Sequence, residues 1–224
     1  YRSADTLTIS TIQSSGVLAE ALPVRIKGSP VHGEIDPDLL TLSQEFGNGL
    51  KKSPFLNAGV FHRGRYITAD VDSAWQGKPM NLGDIIVPLS QVPASYFVDP
   101  SKKAQWEYLK GAKSEDRVTI EGFRWKYTEG AMAFPDPLNR PSRTLLTGEG
   151  GVSPSRFKHV IEQQGRLRRL TPTELERLNG FPDNWTERGI AGPISDSRRA
   201  FFMGNALVVG LITRVGEALR ARLD

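Results

Sequence analysis

Between Arg140 and Arg169 seven basic side chains (Arg140, Arg143, Arg156, Lys158, Arg166, Arg168 and Arg169) face two acidic ones, Glu149 and Glu162. Cations at that density suit a polyanion, and a DNA backbone could use the stretch. Within it, Arg143, Arg156 and Lys158 have the chemistry to contact phosphates or guanine edges. Thr144 and Thr147 add hydroxyls, and Gly148, Gly150 and Gly151 permit close backbone approach. The same charges also read as a solvated face. Other chemistry is closed. The chain has no Cys, which excludes a thiol nucleophile, disulfides and Cys-ligated zinc. His32, His62 and His159 have no partners at ligand spacing, so no metal site is expected.

The elements that must position these residues are short. Hydrophobic residues are 38% and charged residues 24% of 224, with 22 Gly, 15 Pro and a formal charge of +4, a globular composition rich in turns. No apolar run approaches the roughly 18–20 residues that span a bilayer, and Tyr1 opens no charged-then-apolar leader. A cytoplasmic location with no membrane partner is expected. Residues Pro37–Phe46 form a short helix in this reading, with Leu39, Leu40, Leu42 and Phe46 on a core face. Strands are expected at Tyr66–Thr68, Asp84–Val87 and Val118–Ile120, and a short helix after Pro100 carrying Trp106 and Tyr108. Phe123, Trp125 and Tyr127 alternate as on a strand with one packed face, core packing being favoured over base stacking.

Two signals near the end are sharper. Thr171, Pro172 and Glu174 are N-cap, first helical residue and capping-box partner, and Gly180 and Pro182 stop the helix. Val208, Val209, Ile212, Val215 and Leu219 recur at helical spacing up to Ala221.

Arg168-Arg169-Leu170-Thr171-Pro172-Thr173-Glu174 followed by Arg177-Leu178-Asn179-Gly180-Phe181-Pro182-Asp183 resembles the ninth conserved block of bacterial DNA cytosine-5 methyltransferases. About twenty residues later Gly204-Asn205-Ala206-Leu207-Val208-Val209 is similar to the tenth block, in the family's order and spacing. Pro141–Leu145 through Thr147–Gly151 resembles the end of the target-recognition region that precedes the ninth block. The Pro-Cys nucleophile motif, the Phe-x-Gly-x-Gly turn, the Glu-Asn-Val block and the Gln-Arg-x-Arg block are absent from the sequence.

The resemblance implies an α+β chain, with a small irregular β-rich target-recognition domain over residues 1–165. A closing segment over 166–224 then holds short helices and a C-terminal helix that docks on a Rossmann-like catalytic domain outside this sequence. It implies methyl transfer from S-adenosylmethionine to C5 of a flipped-out cytosine, as in restriction-modification, with nucleophile and most of the cofactor pocket supplied by a catalytic partner. This chain alone is then inactive. Double-stranded DNA is expected at Arg143, Thr144, Leu145, Thr147, Arg156, Lys158, His159 and Arg168, and the cofactor at Asn205, Ala206 and Leu207. An inactive, sequence-specific DNA-binding module derived from such an enzyme is the alternative.

Overall fold

The computed structural model describes residues 7–35, 38–45, 53 and 55–223. In chain order the helices are α1 (Val17–Ala21), α2 (Leu39–Glu45), α3 (Lys103–Lys110), α4 (Pro172–Leu178), α5 (Asp196–Asn205) and α6 (Val209–Arg220). The strands are β1 (Val24–Glu34), β2 (Ala58–His62), β3 (Arg65–Ser73), β4 (Lys113–Val118), β5 (Arg124–Glu129), β6 (Val160–Gln163), β7 (Arg166–Arg169), β8 (Arg188–Gly189) and β9 (Gly192–Pro193). The expected mixture of helices and small antiparallel sheets is what forms. Two compact units result, Tyr1–Gly77 with Leu211–Asp224, and Lys78–Gly210. The chain leaves the first unit, builds the second and returns. Residues 165/166, where the sequence reading divides the chain, lie at the turn of the β6–β7 hairpin, in which Gln164 and Gly165 both take positive φ (50 and 73).

In the first unit a three-stranded antiparallel sheet has the order β1-β3-β2. Period-two alternation along β3 puts Ile67 and Ala69 on one face, where they pack with Ile12 and with Ile26, Val60 and Val71. A register shift between Lys27 and Val31 surrounds Gly28, whose φ of 66 suits only glycine without strain. The last helix is tied down by polar contacts. Arg222 donates to the Glu20 carboxylate (Nη2 to Oε1 2.6 Å) and to the Ser15 carbonyl (2.7 Å), and Arg214 lies 3.6 Å over the Trp75 ring. Leu39 and Leu40 of α2 are exposed rather than core; Pro37 and Phe46 lie outside the described residues.

The second unit closes around Leu82, Ile85, Ile161, Leu170, Leu175, Ala200 and Met203. Helix α4 begins and ends where the sequence places it. Thr171 and Glu174 complete the capping box, and Gly180 at φ +77 lets the Gly180 and Phe181 amides donate to the carbonyls of Arg177 and Glu176. Other expectations are corrected. Asp84–Val87 is no strand: Asn81 and Asp84 form their own capping box, coiling Leu82–Ile85 into a single 3₁₀ turn that still buries Ile85. Val118 ends β4, and Thr119–Gly122 form the turn, leaving Ile120 fully exposed. Trp106 on α3 is buried and stacks on Phe134, centroids 6.4 Å apart, while Tyr108 is exposed.

By composition, Asp196–Arg220 is apolar enough to pass for a membrane span. The helix is broken at residues 206–208, between α5 and α6, and a spanning helix needs its backbone satisfied throughout.

Candidate functional site

The basic stretch singled out in the sequence runs through the irregular segment between β5 and β6 and into the β6–β7 hairpin. Its cations are turned largely inward. Asp136, almost fully buried, accepts from Arg143 Nε (2.7 Å) and Nη2 (3.2 Å) and from the Val160 amide (2.8 Å), with Lys110 Nζ 3.8 Å away. Arg143 also donates to the Phe157 and Lys158 carbonyls (3.2 and 3.3 Å) and keeps 28% of its side chain exposed. His159 is fully buried between the Glu149 carboxylate (Nδ1 to Oε1 2.8 Å) and the Ser142 hydroxyl (3.1 Å), and Glu149 also takes the His159 amide (3.0 Å). Lys158 donates to the carbonyls of Gly151 (3.1 Å) and Ser153 (2.7 Å). Burial, and then the charge of Arg169, push its ammonium pKa down.

Arg156 staples a different place. It donates to the Leu109 and Gly111 carbonyls (3.0 and 3.1 Å) and to the Gly130 carbonyl, and pairs with Glu129 (3.2 Å), so it joins both ends of the β4–β5 hairpin. Arg168, also fully buried, meets Glu174 through two bonds (Nη1 to Oε2 2.9 Å, Nη2 to Oε1 2.6 Å). Glu174 further accepts from the amides of Val87 (2.9 Å) and Thr171 (2.7 Å). A charge so completely bonded is compatible with burial. Arg169 donates to the Gly151 and Ser95 carbonyls (2.7 and 2.6 Å) and lies over the Tyr96 ring. The Tyr96 hydroxyl donates to Asp196 (2.7 Å), and its pKa is raised by burial first and then by that bond. On α4, burial would push the Glu176 carboxyl up, yet bonds from the Thr186 hydroxyl and amide and from Arg199 hold its pKa below the ordinary value.

Arg156, Lys158, His159 and Arg168, expected at DNA, direct polar atoms at protein partners in this fold. Leu145 packs against the core. Thr144 and Thr147 are exposed, as are Leu146, Val152 and Phe157. The buried charges hold a segment with no helix or strand of its own in one shape, and this shape presents those groups. Close backbone approach is built in: a Cβ on Gly204 would sit 2.3 Å from the Thr147 amide nitrogen, and one on Gly150 would sit 2.9 Å from Ser197 Cα. Helix α5 thus lies against the segment at two glycines. The organising carboxylates Asp136 and Glu149 were missed in the sequence. Their signal was an acid isolated in a basic or proline-rich stretch, where a buried partner is its natural use.

Asn205, Ala206 and Leu207 end α5 and start the break before α6. The Asn205 amide donates to Phe201 in its own helix (3.1 Å), Ala206 packs on the core, and Leu207 is 66% exposed. A groove of about 370 Å³ beside them is lined by Arg143, Thr144, Leu178, Asn179, Ala206 and Val208, among others. It brings residues expected at DNA within reach of one expected at the cofactor. Asn205 and Leu207 do not line it, so these three residues make an edge and do not by themselves enclose S-adenosylmethionine. Among the described residues no group of acids and histidines is arranged to hold a metal.

Residues 74–221 match the family model for C-5 cytosine-specific DNA methylase. The chain is 37% identical over 211 residues to the type II methyltransferase M.Sau3AI of Staphylococcus aureus, covering 93% of this chain and 48% of that protein. It is 26% identical over 163 residues to the type II methyltransferase M.NlaX of Neisseria lactamica, covering 71% of this chain and 46% of the relative. It is likewise 26% identical over 168 residues to a DNA-cytosine methyltransferase of Escherichia coli strain K12, at 69% and 33%. The chain spans about half the length or less of these relatives. With the family match extending over more than half of its residues and through both sequence blocks, the chain belongs to the C-5 cytosine-specific DNA methylase family.

Proposed function

We propose that this chain is the target-recognition and closing portion of a DNA cytosine-5 methyltransferase, holding duplex DNA for a catalytic portion that carries out the methyl transfer. The observation that carries this reading is the family match in a chain with no Cys. In the proposed assembly S-adenosylmethionine, held mainly by the catalytic portion, supplies the methyl group. A thiolate nucleophile for the cytosine has to come from the same place, since a base so attacked must first leave the stack and meet a nucleophile in a pocket.

This chain contributes position. Thr144, Thr147 and the partly exposed Arg143 offer donors from a segment whose shape is set by the Asp136 and Glu149 networks. Preorganised donors lose little entropy on contact, which favours register on the duplex over mere attraction. Asn205–Leu207 and the exposed apolar side chains Val208 and Val209 supply the edge onto which the catalytic portion docks, an exposed patch of that kind being suited to a protein partner. Cytoplasmic DNA methylation, of the restriction-modification kind suggested by the relatives' names, is the proposed setting.

The test is incorporation of labelled methyl into mixed-sequence DNA by this chain, by a relative's catalytic portion, and by the two mixed. Activity in the mixture alone is expected. The Cys-free sequence also favours a binding module that performs no chemistry in any assembly. Sequence-specific DNA binding with no methylation in the mixture would select that second reading, and incorporation by this chain alone would overturn both.

A further inference from the structure

The protons around His159 can be counted. Its Nδ1 stands 2.8 Å from Glu149 Oε1, and its Nε2 stands 3.1 Å from the Ser142 hydroxyl. That hydroxyl has one proton and donates it to the Arg143 carbonyl at 2.7 Å. Toward the ring the Ser142 oxygen is therefore an acceptor, so Nε2 has to carry a proton. Nδ1 has to carry one too, because a bare nitrogen would face a carboxylate oxygen. Two donating nitrogens make the imidazolium form. The surrounding charges agree. Glu149 has 3% of its side chain exposed, and among the described residues His159 is its partner within ion-pair distance. Every other nearby charge is committed elsewhere. Asp136 takes Arg143 and Lys110, Lys158 donates to the Gly151 and Ser153 carbonyls, and Arg169, paired across the hairpin from Val160, donates to Gly151 and Ser95. Lys110 and Lys158 still act on Glu149 through space, which favours its ionised form. A buried carboxylate of this kind needs a bonded cation, and the ring is the group placed to be one.

We propose that His159 is a positioning residue, held as an imidazolium, which fixes the groove-lining run Ser142–Thr144 through the Ser142 hydroxyl and releases it on losing its proton. The proposal rests on the reading that this chain holds duplex DNA for methyl transfer. Ser142, Arg143 and Thr144 line the groove of about 370 Å³ beside Asn179 and Ala206, while the ring itself is fully buried and touches no ligand. When the proton leaves Nε2, two lone pairs face each other across 3.1 Å. The hydroxyl then has to turn from the Arg143 carbonyl to the ring, or the contact has to open. Either change frees the backbone that carries Arg143 and Thr144. The competent state is the protonated one, so the hold on DNA weakens as pH rises through the titration of His159.

The test has a spectroscopic and a kinetic arm. The chain has three histidines, His32, His62 and His159, so in a chain labelled with ¹⁵N-histidine a His159→Gln spectrum identifies the third. Both His159 ring nitrogens should be protonated at low pH and one of them should lose its proton between about pH 5 and 10, a range that spans perturbed imidazoles. Methyl transfer is then measured with a relative's catalytic portion over the same range. KM for duplex DNA should rise about tenfold at the midpoint seen by NMR, the scale of one charge-assisted hydrogen bond, with kcat changed by less than about twofold. Glu149→Gln/His159→Gln replaces the relay by amides that donate in the same direction without titrating, and should keep KM low at every pH. Because it retains Lys110, whose pKa lies at about 8, it also corrects for that group and for the catalytic portion. Ser142→Ala keeps every charge but cuts the link, and should hold KM high at every pH; it decides the matter if the double variant does not melt with the unsubstituted chain. One ring proton throughout, two throughout, or a KM profile shared by the unsubstituted chain and Ser142→Ala overturns the positioning role and leaves the recognition reading intact. An assembly that methylates at no pH overturns both.

Discussion

Glu174 shows how far a side chain's setting departs from its local motif. From sequence it is a capping-box acid worth about 1 kcal/mol, the usual scale of a helix cap. In the structure it is fully buried and joins Arg168, the Thr171 amide and the Val87 amide. Glu174→Ala strands a buried guanidinium and two amides, so a loss of about 3–5 kcal/mol is expected, the scale of breaking a buried ion pair. A urea denaturation midpoint shifted by only a cap's worth would show that water replaces the carboxylate. Lys110 gives a pH-dependent counterpart. Burial, against the opposing charge of Asp136, pulls its pKa from 10.5 to about 8. Between those values the unfolded chain holds a proton that the folded chain releases, so this group's contribution makes stability rise with pH from about 8 to 10.5, and its penalty is fully present below 8. Lys110→Met should flatten that part of a stability-against-pH curve, and equal slopes for the two proteins would refute the assignment.

Elements were legible in proportion to how locally they are specified. Helix α4 was readable because its start, cap and stop lie within about a dozen consecutive residues, and α6 because five apolar positions repeat at helical spacing. The Asp84–Val87 strand was misread because a capping box outcompeted β-rich composition, and Phe123 and Trp125 because alternation says which side chains share a face without saying whether anything covers it. Gly204 belongs to this scale too. Its family-like position becomes physical once α5 is seen against residues 146–147, where an added Cβ would meet backbone atoms at 2.3–2.5 Å. Gly204→Ala should cost about 1–3 kcal/mol, as overpacking does, and should weaken DNA binding by displacing the segment that carries Thr144 and Thr147. Unchanged melting together with unchanged anisotropy would show that the helix simply moves away.

For the whole molecule, the chain's return from the second unit to the first through α6 is the main architectural fact. Leu207, at the break before α6, is 66% exposed. If this edge receives a catalytic portion, Leu207→Lys should leave the melting temperature of the isolated chain nearly unchanged, surface changes usually falling within about 0.5 kcal/mol. It should raise the concentration of catalytic portion needed for half-maximal methylation by about tenfold, the scale of burying one large apolar side chain. An identical titration would move the docking edge elsewhere.

The sequence by itself determined the α+β class, the helix α4 with its caps, the apolar face of α6, the absence of a thiol and the family-like blocks, because each depends on residue type and on spacing along the chain. It also located the basic segment and left its use open between binding and a solvated face. Only the tertiary structure decided that Lys158, His159 and Arg168 are buried struts, that Arg156 braces a hairpin, and that the apolar tip of that hairpin stands in solvent. Those outcomes turn on partners as distant as Val87 for Glu174 and Lys110 for the Lys158 carbonyl. A charge reads the same in sequence whether it faces water or a carboxylate that the fold brings to it, and the desolvation that separates the two exists only once the chain has closed.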